Sequence, residues 1–296
     1  MLPNLFIIGA PKCGTTSMAH YLGKHPNIFM CKEKEPHYFN EDLNHRYYKT
    51  EDTYLQLFSE ASESATYLCD ASVWYLYSEV AVKNILKFNP EARFIIMLRE
   101  HSDLFFSLHR ELRYGGEETQ NSPQKAWELV SFRKKGNNVP STTLEPKLLY
   151  YDKTCALGNL VERALDIIPR EQLRIIFLED LKEDSNRVYE ELLLWLGLKV
   201  IALPVYEVVN EKKERISPTF SSLLRKIYLL KKQLGIHKGL GISNYLNRLN
   251  VTKKVVQNKK EEDKLRPILK DYFEKDRKLL EKLTGRDLSH WSTSKS

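Results

Sequence analysis

Between Gly9 and Gly14 the chain places Ala10, Pro11, Lys12 and Cys13, and after Gly14 come Thr15, Thr16 and Ser17. An apolar run, Phe6-Ile7-Ile8, leads into this stretch and a helical pattern follows it. A strand feeding a glycine-bounded turn that opens a helix is the layout of an anion cradle. Backbone N–H groups of the turn and of the first helical turn converge there, and the helix dipole favours negative charge. Lys12 adds a cation inside the turn, and three hydroxyl side chains follow it. A second pairing is Arg99, at the end of the apolar run Phe94-Ile95-Ile96-Met97-Leu98, with Ser107 eight residues later. A guanidinium at the carboxyl end of a parallel strand faces the ligand crevice, and a serine on the second turn of the next helix can point back at the same anion. The third stretch is Lys32-Glu33-Lys34-Glu35-Pro36-His37. If extended, it carries Glu33, Glu35 and His37 on one face and the lysines on the other. Alone, such a run reads as solvated surface; its place one crossover after the cradle marks it for function.

The Gly-x4-Gly spacing resembles the nucleoside-triphosphate P-loop, with one departure. Thr15 stands where that loop has its lysine, and Lys12 lies three residues earlier. A kinase without that lysine loses its β/γ-phosphate clamp, whereas a lysine within the turn suits a cation meeting the 5′-phosphate side of a nucleotide. Gly9 to Ser17 resembles the 5′-phosphosulfate loop of sulfotransferases that use 3′-phosphoadenosine 5′-phosphosulfate (PAPS), closest in pattern to the glycan (heparan-sulfate-type) and bacterial members. The resemblance implies that Pro11, Lys12, Cys13, Gly14, Thr15, Thr16 and Ser17 hold the 5′ end of the donor. It implies that Arg99 and Ser107 hold the 3′-phosphate, with His101 where the family usually has proline. Glu35 matches the glutamate of the glycan branch's Glu-x-His-x-Phe segment, the general base there; His37 is the internal rival for that role. Partial burial is expected to raise the Glu35 pKa. Lys12 is expected to stabilise charge on the bridging oxygen of the leaving nucleotide. Asp70-Ala71-Ser72-Val73-Trp74-Tyr75-Leu76 resembles the family's acceptor-pocket segment, Val73 replacing proline, and implies Ser72, Trp74 and Tyr75 as acceptor-binding residues. Arg215 lies where the family closes a loop over the 3′-phosphate. Trp195-Leu196-Gly197-Leu198 and Gly285 to Trp291 resemble the family's packing signatures. PAPS as donor, adenosine 3′,5′-bisphosphate as product, a hydroxyl-bearing glycan, glycolipid or other small acceptor (less favourably an amine) and no metal requirement are the further implications. Two alternatives stand beside this reading: an atypical P-loop kinase using ATP and Mg2+, and a non-catalytic polyanion binder on the same fold.

The elements that must position these residues alternate in period. Short apolar runs at 6–9, 27–30, 66–70, 93–99 and 173–178 predict strands, and helical patterns are predicted at 16–25, 78–88, 102–114, 148–168, 179–196 and 265–283. Alternation of this kind predicts an α/β fold: a three-layer, P-loop-like domain with a mainly parallel central sheet flanked by helices and a helical C-terminal part. The whole of 1–296 is expected to be one domain, with a polar, mobile excursion at 117–147 carrying a helical piece at 123–134. A lid-forming segment at 205–262 is expected to contain an amphipathic helix at 219–234.

Composition narrows the classes. With 296 residues, 42% hydrophobic and 29% charged, the chain has the make-up of a globular protein. No apolar run reaches the roughly 18 residues of a membrane span. The net charge of +7, with lysine and arginine concentrated toward the C-terminal third, suits polyanionic ligands: a nucleotide, an acidic glycan or a membrane surface. No interleaved aromatics of the kind that stack bases accompany it, which argues against nucleic acid. Cys13, Cys31, Cys69 and Cys155 show no metal-ligand spacing and read as free thiols. A helix N-terminus would lower the Cys13 pKa; alternatively Cys13 is simply a small residue that fits the turn. The start lacks the basic region of a signal peptide, so the expected location is the cytoplasm, or the Golgi lumen if a leading segment has been trimmed.

Overall fold

A computed structural model describes residues 1–202, 214–215, 251–252 and 259–292. The chain forms two compact units. The first unit comprises 1–104, 156–210 and 273–296, and the second comprises 105–155 and 211–272.

The first unit is built on five parallel strands: β1 (Leu5–Gly9), β2 (Ile28–Met30), β3 (Tyr67–Asp70), β4 (Arg93–Leu98) and β5 (Leu173–Phe177), in the order β2-β3-β1-β4-β5. Every residue of β1 and β3, and all of β4 after Arg93, is buried. That is why these strands read as unbroken apolar runs rather than as alternating ones. Phe6 lies opposite Asp70 on one side and Phe94 on the other, and its ring stacks on Phe94 at 5.9 Å. From β1 the chain crosses first toward β2 and β3 and later to β4 on the other side. The sheet therefore has its topological switch point beside β1, where open α/β sheets place their ligand crevice at the carboxyl edge. The α/β, parallel-sheet expectation holds.

Three predicted helices are corrected. The helix after β1, here α1 (Thr15–Leu22), ends at Gly23, before the expected 25. The continuous helix expected at 148–168 is broken into a 3₁₀ turn Pro146–Leu149, a short helix Tyr151–Thr154 and a helix Leu157–Leu165. Asp276 makes the new start after the break: its carboxylate accepts the Gly158 N–H at 2.7 Å and the Asn159 N–H at 2.9 Å. Gly158 is required there, since a Cβ would sit 2.3 Å from the Asp276 carbonyl oxygen. The same carboxylate meets the buried His101 Nε2 at 2.8 Å, and the His101 ring stacks on Phe273 at 5.1 Å. This accounts for a histidine at 101. The last helix, expected at 265–283, is instead two, Lys259–Tyr272 and Glu274–Thr284, interrupted at the buried Phe273. Both breaks are long-range decisions invisible to local periodicity.

The second unit is helical, with Pro123–Glu128, Val130–Arg133 and Lys259–Tyr272 among its helices and a short antiparallel pairing of 214–215 with 251–252. The expected helical piece at 123–134 corresponds to the first two of these. Their polar segment is anchored by an ion pair: Arg133 donates to both carboxylate oxygens of Glu118 at 2.6 and 2.8 Å, and both side chains are almost wholly buried. The Tyr151 hydroxyl donates to the same carboxylate at 3.0 Å. Burial works to raise the Glu118 pKa, and the Arg133 guanidinium outweighs it and holds the carboxyl below its ordinary value. Removing one partner leaves a buried charge uncompensated. Arg133→Ala is therefore expected to destabilise the protein by about 3–5 kcal/mol in denaturant unfolding, whereas replacing both partners with apolar residues should be far milder. Equal losses from the single and the double replacement would contradict this account. The expected lid and helix at 205–262 lie outside the described residues, apart from the one pair of short strands and the start of Lys259–Tyr272.

Candidate active site

The candidate residues of the first unit gather at the carboxyl edge of the sheet. Lys12 follows β1, Glu35 and His37 follow β2, Ser72, Trp74 and Tyr75 follow β3, and Arg99 follows β4.

The cradle is tied down by backbone. The Ala10 N–H donates to the Met97 carbonyl at 2.8 Å, and Arg99 Nη1 donates to the Lys12 carbonyl at 3.0 Å. Gly14, at φ 90°, is the N-cap of α1 and supplies no side-chain cap; the first turn carries no acidic residue. The amides of Thr15, Thr16 and Ser17 thus have no carbonyl one turn back to receive them. A Cβ on Gly14 would lie 2.7 Å from Leu178 Cδ1, and one on Gly9, at φ 153°, would lie 2.9 Å from the Val73 carbonyl oxygen. Both glycines are therefore dictated by close approach as well as by φ. Val73, the departure from proline in its segment, reaches the cradle through that carbonyl. Pro11 and Cys13 are buried, while Lys12, Thr16 and Ser17 are half-buried. Cys13 is a neutral thiol: burial pushes its pKa up to about 12 despite Arg99 and Lys12 nearby, so the helix terminus does not activate it. Its place is that of a small residue fitting the turn.

The segment 32–38 is not the extended run its alternation predicts. Glu35 and His37 sit at φ 60° and 52°, in the left-handed region, on either side of Pro36. Proline removes one N–H from any ladder, and two left-handed residues fold the chain back on itself. Glu33 and His37 consequently part company: Glu33 takes a hydrogen bond from Tyr48, while His37 is buried with its Nε2 3.5 Å from Glu35 Oε2. Lys34 Nζ lies 2.7 Å from Glu35 Oε1, and Lys32 pairs with Glu60. The Glu35 pKa is opposite to expectation. Burial acts to raise it, but the contacts with His37 and Lys34 outweigh burial and bring it down to about 2. Glu35 is thus a carboxylate throughout the neutral range.

Among the described residues only Lys12, Glu35, His37 and Asn138 combine a side chain with positive φ. Such conformations cost on the order of 1–3 kcal/mol each and persist where surrounding structure imposes them, often at functional sites. Three of the four are the residues singled out for chemistry from the sequence.

Ser72, Trp74 and Tyr75 are buried, and the Ser72 and Tyr75 hydroxyls both donate to Asp70, at 2.7 and 2.9 Å. They brace the interior rather than present free hydroxyls; of that segment, Ala71 reaches a cavity. The cavity, of about 320 Å³, is walled by Thr16 and His20 of α1, by Lys24 just past its end, and by Met30, Glu33 and Lys34. It thus runs from the mouth of the cradle to the residues flanking Glu35. Sequence reasoning missed Asp70, although an acidic residue ending a buried strand with Ser at +2 and Tyr at +5 was a legible signal. Arg99 also contacts Asp103 at 3.5 Å, and its Nε is buried without a hydrogen-bond partner. Ser107, half-buried on the helix His101–Gly115, belongs to the second unit. The Arg215 side chain lies outside the described residues. No cluster of three His, Cys, Asp or Glu arranged for a metal occurs among the described residues, and none of their helices is long and apolar enough to cross a membrane.

The cradle fits an anionic group: uncapped amides, two glycines with no room for a Cβ, a lysine in the turn and an orphaned buried guanidinium nitrogen all call for negative charge. Comparison with known proteins points the same way. The human bifunctional heparan sulfate N-deacetylase/N-sulfotransferase 3 is 28% identical over 207 residues, 67% of this chain and 22% of that protein. Human carbohydrate sulfotransferase 15 is 25% identical over 224 residues, 60% of this chain and 38% of that protein. The chain therefore spans well under half the length of these relatives. A sulfotransferase from Alicyclobacillus acidocaldarius has a solved structure that superposes with a TM-score of 0.70 at 25% identity, covering 98% of this chain and 99% of that one. Residues 2–241 match the sulfotransferase domain family, and with that match over most of its length the chain belongs to the sulfotransferases.

Proposed function

We propose that the protein transfers a sulfuryl group from PAPS to a hydroxyl of a glycan, glycolipid or other small acceptor, and that 1–296 works as a single catalytic domain. The observation that carries this reading is the cradle around Lys12, with a cavity walled by Thr16 of its helix and by Glu33 and Lys34, the residues just before the strained Glu35–His37 turn. When bound, the donor supplies the sulfuryl group. Glu35 takes the proton of the acceptor hydroxyl as the new S–O bond forms, and Lys12 stabilises the negative charge left on the bridging oxygen when the old S–O bond breaks. The amides of residues 14–17 and the Thr15, Thr16 and Ser17 hydroxyls hold the 5′-phosphate. Arg99 selects the 3′-phosphate. The acceptor occupies the cavity beside α1. Because Glu35 is already ionised at neutral pH, it needs no activation, only alignment.

The test is calorimetry with adenosine 3′,5′-bisphosphate, AMP and ATP, each with and without Mg2+. The bisphosphate is expected to bind more tightly than AMP, independently of Mg2+. Arg99→Ala should weaken the bisphosphate by roughly tenfold to a hundredfold, the worth of a charged hydrogen bond, and should leave AMP nearly unchanged. An equal loss for AMP would mean that Arg99 acts only by bracing the Lys12 carbonyl. Preference for ATP with Mg2+ would overturn the reading in favour of a kinase.

A further inference from the structure

We propose that Asp70 is a positioning residue for the Glu35–His37 turn: its buried carboxylate sets the hydrogen directions of the Ser72 and Tyr75 hydroxyls so that their lone pairs hold three consecutive backbone amides. The naming of that turn as the holder of the base rests on the sulfuryl-transfer reading; the geometry stands without it. Asp70 is the last residue of β3 and fully buried. Its Oδ1 accepts from the Ser72 hydroxyl at 2.7 Å, and its Oδ2 accepts from Tyr75 at 2.9 Å and from Tyr54 at 3.0 Å. The far sides of two of those hydroxyls face the turn. Ser72 Oγ accepts the His37 N–H at 3.1 Å, and the Tyr75 oxygen accepts the Tyr38 N–H at 2.9 Å and the Phe39 N–H at 3.4 Å.

The direction of every hydrogen in this relay is determined. A backbone N–H can only donate, so Ser72 and Tyr75 must accept from the turn and spend their own hydrogens elsewhere. An ionised carboxylate is an acceptor at both oxygens, and it takes both hydrogens. Burial raises the Asp70 pKa above its ordinary value, and the hydrogen bonds from Ser72, Tyr75 and Tyr54, which favour the carboxylate, limit the rise. Asparagine, of the same shape, breaks the relay. With its NH2 at the first position, Ser72 faces two donors and its own hydrogen loses its acceptor. With its NH2 at the second position, Tyr75 meets a third donor and must release an amide. Either arrangement loosens the amide anchors of residues 37–39, leaving the carbonyl contacts of Tyr38 with Arg46 at 2.7 Å and of Phe39 with Asn84 at 3.2 Å and with the Glu41 N–H at 3.1 Å, within a turn whose Glu35 and His37 are held at positive φ. Satisfied polar networks of this kind specify one conformation; partly satisfied ones do not.

The experiment follows the Glu35 carboxylate in the full chain labelled with carboxyl-13C glutamate, its NMR signal assigned by its loss in Glu35→Gln. In the unsubstituted protein Glu35 is expected to stay ionised from pH 6 down to pH 3.5. In Asp70→Asn and Tyr75→Phe the contact with His37 is released, and half-titration moves up toward the free glutamate value of about 4.3. Ser72→Ala is expected to shift it in the same direction. Tyr54→Phe removes a hydrogen bond from the same carboxylate without touching an anchor and is expected to leave Glu35 as it was. Melting temperature and adenosine 3′,5′-bisphosphate affinity are measured on the same samples, and the affinity is expected to hold within twofold. A Glu35 that stays ionised in both Asp70→Asn and Tyr75→Phe overturns the proposal, as does a Tyr54→Phe variant that behaves like Asp70→Asn. If Asp70→Asn does not fold, Tyr75→Phe and Ser72→Ala decide. Absence of bisphosphate binding in the unsubstituted protein would instead overturn the donor reading and leave the Glu35 titration to judge Asp70.

Discussion

Lys12→Ala is expected to lower turnover by roughly 10²–10³-fold while changing the affinity for adenosine 3′,5′-bisphosphate by no more than about threefold. The magnitude is that of removing one preorganised charge or donor from a site of developing negative charge. The asymmetry has a structural reason. What Lys12 contributes to the shape of the cradle is its carbonyl, which accepts from Arg99, and that tether survives truncation of the side chain. In the proposed mechanism the ammonium acts on charge that grows as the donor's S–O bond breaks, so its loss is expected to fall on the transition state more than on the bound nucleotide. Stopped-flow or steady-state turnover set against calorimetric affinity separates the two. A variant that loses binding and turnover in equal measure would mean that Lys12 serves ground-state recognition. Lys12 also sits at φ 62°, and alanine inherits that strain. Lys12→Gly removes both and is the control for cradle geometry.

Glu35→Gln is expected to abolish detectable transfer, a fall of at least 10²–10⁴-fold, the usual contribution of a positioned base. Nucleotide binding should remain. Glutamine keeps the shape but cannot take the acceptor proton. The direction of the Glu35 shift adds a pH signature. With its folded pKa near 2, against about 4.3 when unfolded, Glu35 is ionised in the folded state throughout the range above about pH 4, and in both states above about pH 6. It should therefore put no inflection into kcat/KM between pH 5 and 8, and an acid limb in that window would assign the proton to another group, His37 being the neighbour. His37→Ala separates the two assignments: a dead His37→Ala with an active Glu35→Gln would transfer the role to the histidine. The linkage to stability has a definite sign. A carboxyl whose folded pKa is depressed stabilises the fold above its unfolded pKa, and that contribution is lost as pH falls from about 5 toward 2. Acid unfolding of Glu35→Gln should accordingly show a shallower pH dependence over that range.

The sulfotransferase assignment rested on stretches in which function and local structure coincide. Gly9 and Gly14 are legible because each is required by a backbone that only glycine tolerates at that approach. Lys12 is legible because a lysine inside a glycine-bounded turn has few other uses. The central strands were legible because burial on both faces makes them nearly continuous apolar runs, and the parallel α/β class follows from the alternation of strands with helices. The misreadings share a cause. Alternation at 32–37 put Glu33, Glu35 and His37 on one face of an extended segment, but Pro36 and two left-handed residues turn the segment into a loop whose contacts to Glu35 outweigh its burial. A helix pattern at 148–168 was real at each position and still broke, because Asp276, more than a hundred residues away, caps a new start at Gly158.

What the sequence by itself determined about this protein is local: the glycine-bounded turn with a lysine inside it, the buried strands and the set of residues proposed to bind the anion and move a proton. Periodicity and backbone sterics act over a few residues, and a single chain displays them openly. Only the tertiary structure decided how those groups are held and what state they are in. Asp70 meets the turn at 37–39 through Ser72 and Tyr75 across more than thirty residues of chain, and the Glu35 pKa is set by neighbours whose distances depend on two left-handed φ angles. Hydrogen-bond direction and electrostatic balance depend on ångström-scale distances between groups that sequence spacing does not encode, and these are settled only when the chain has packed.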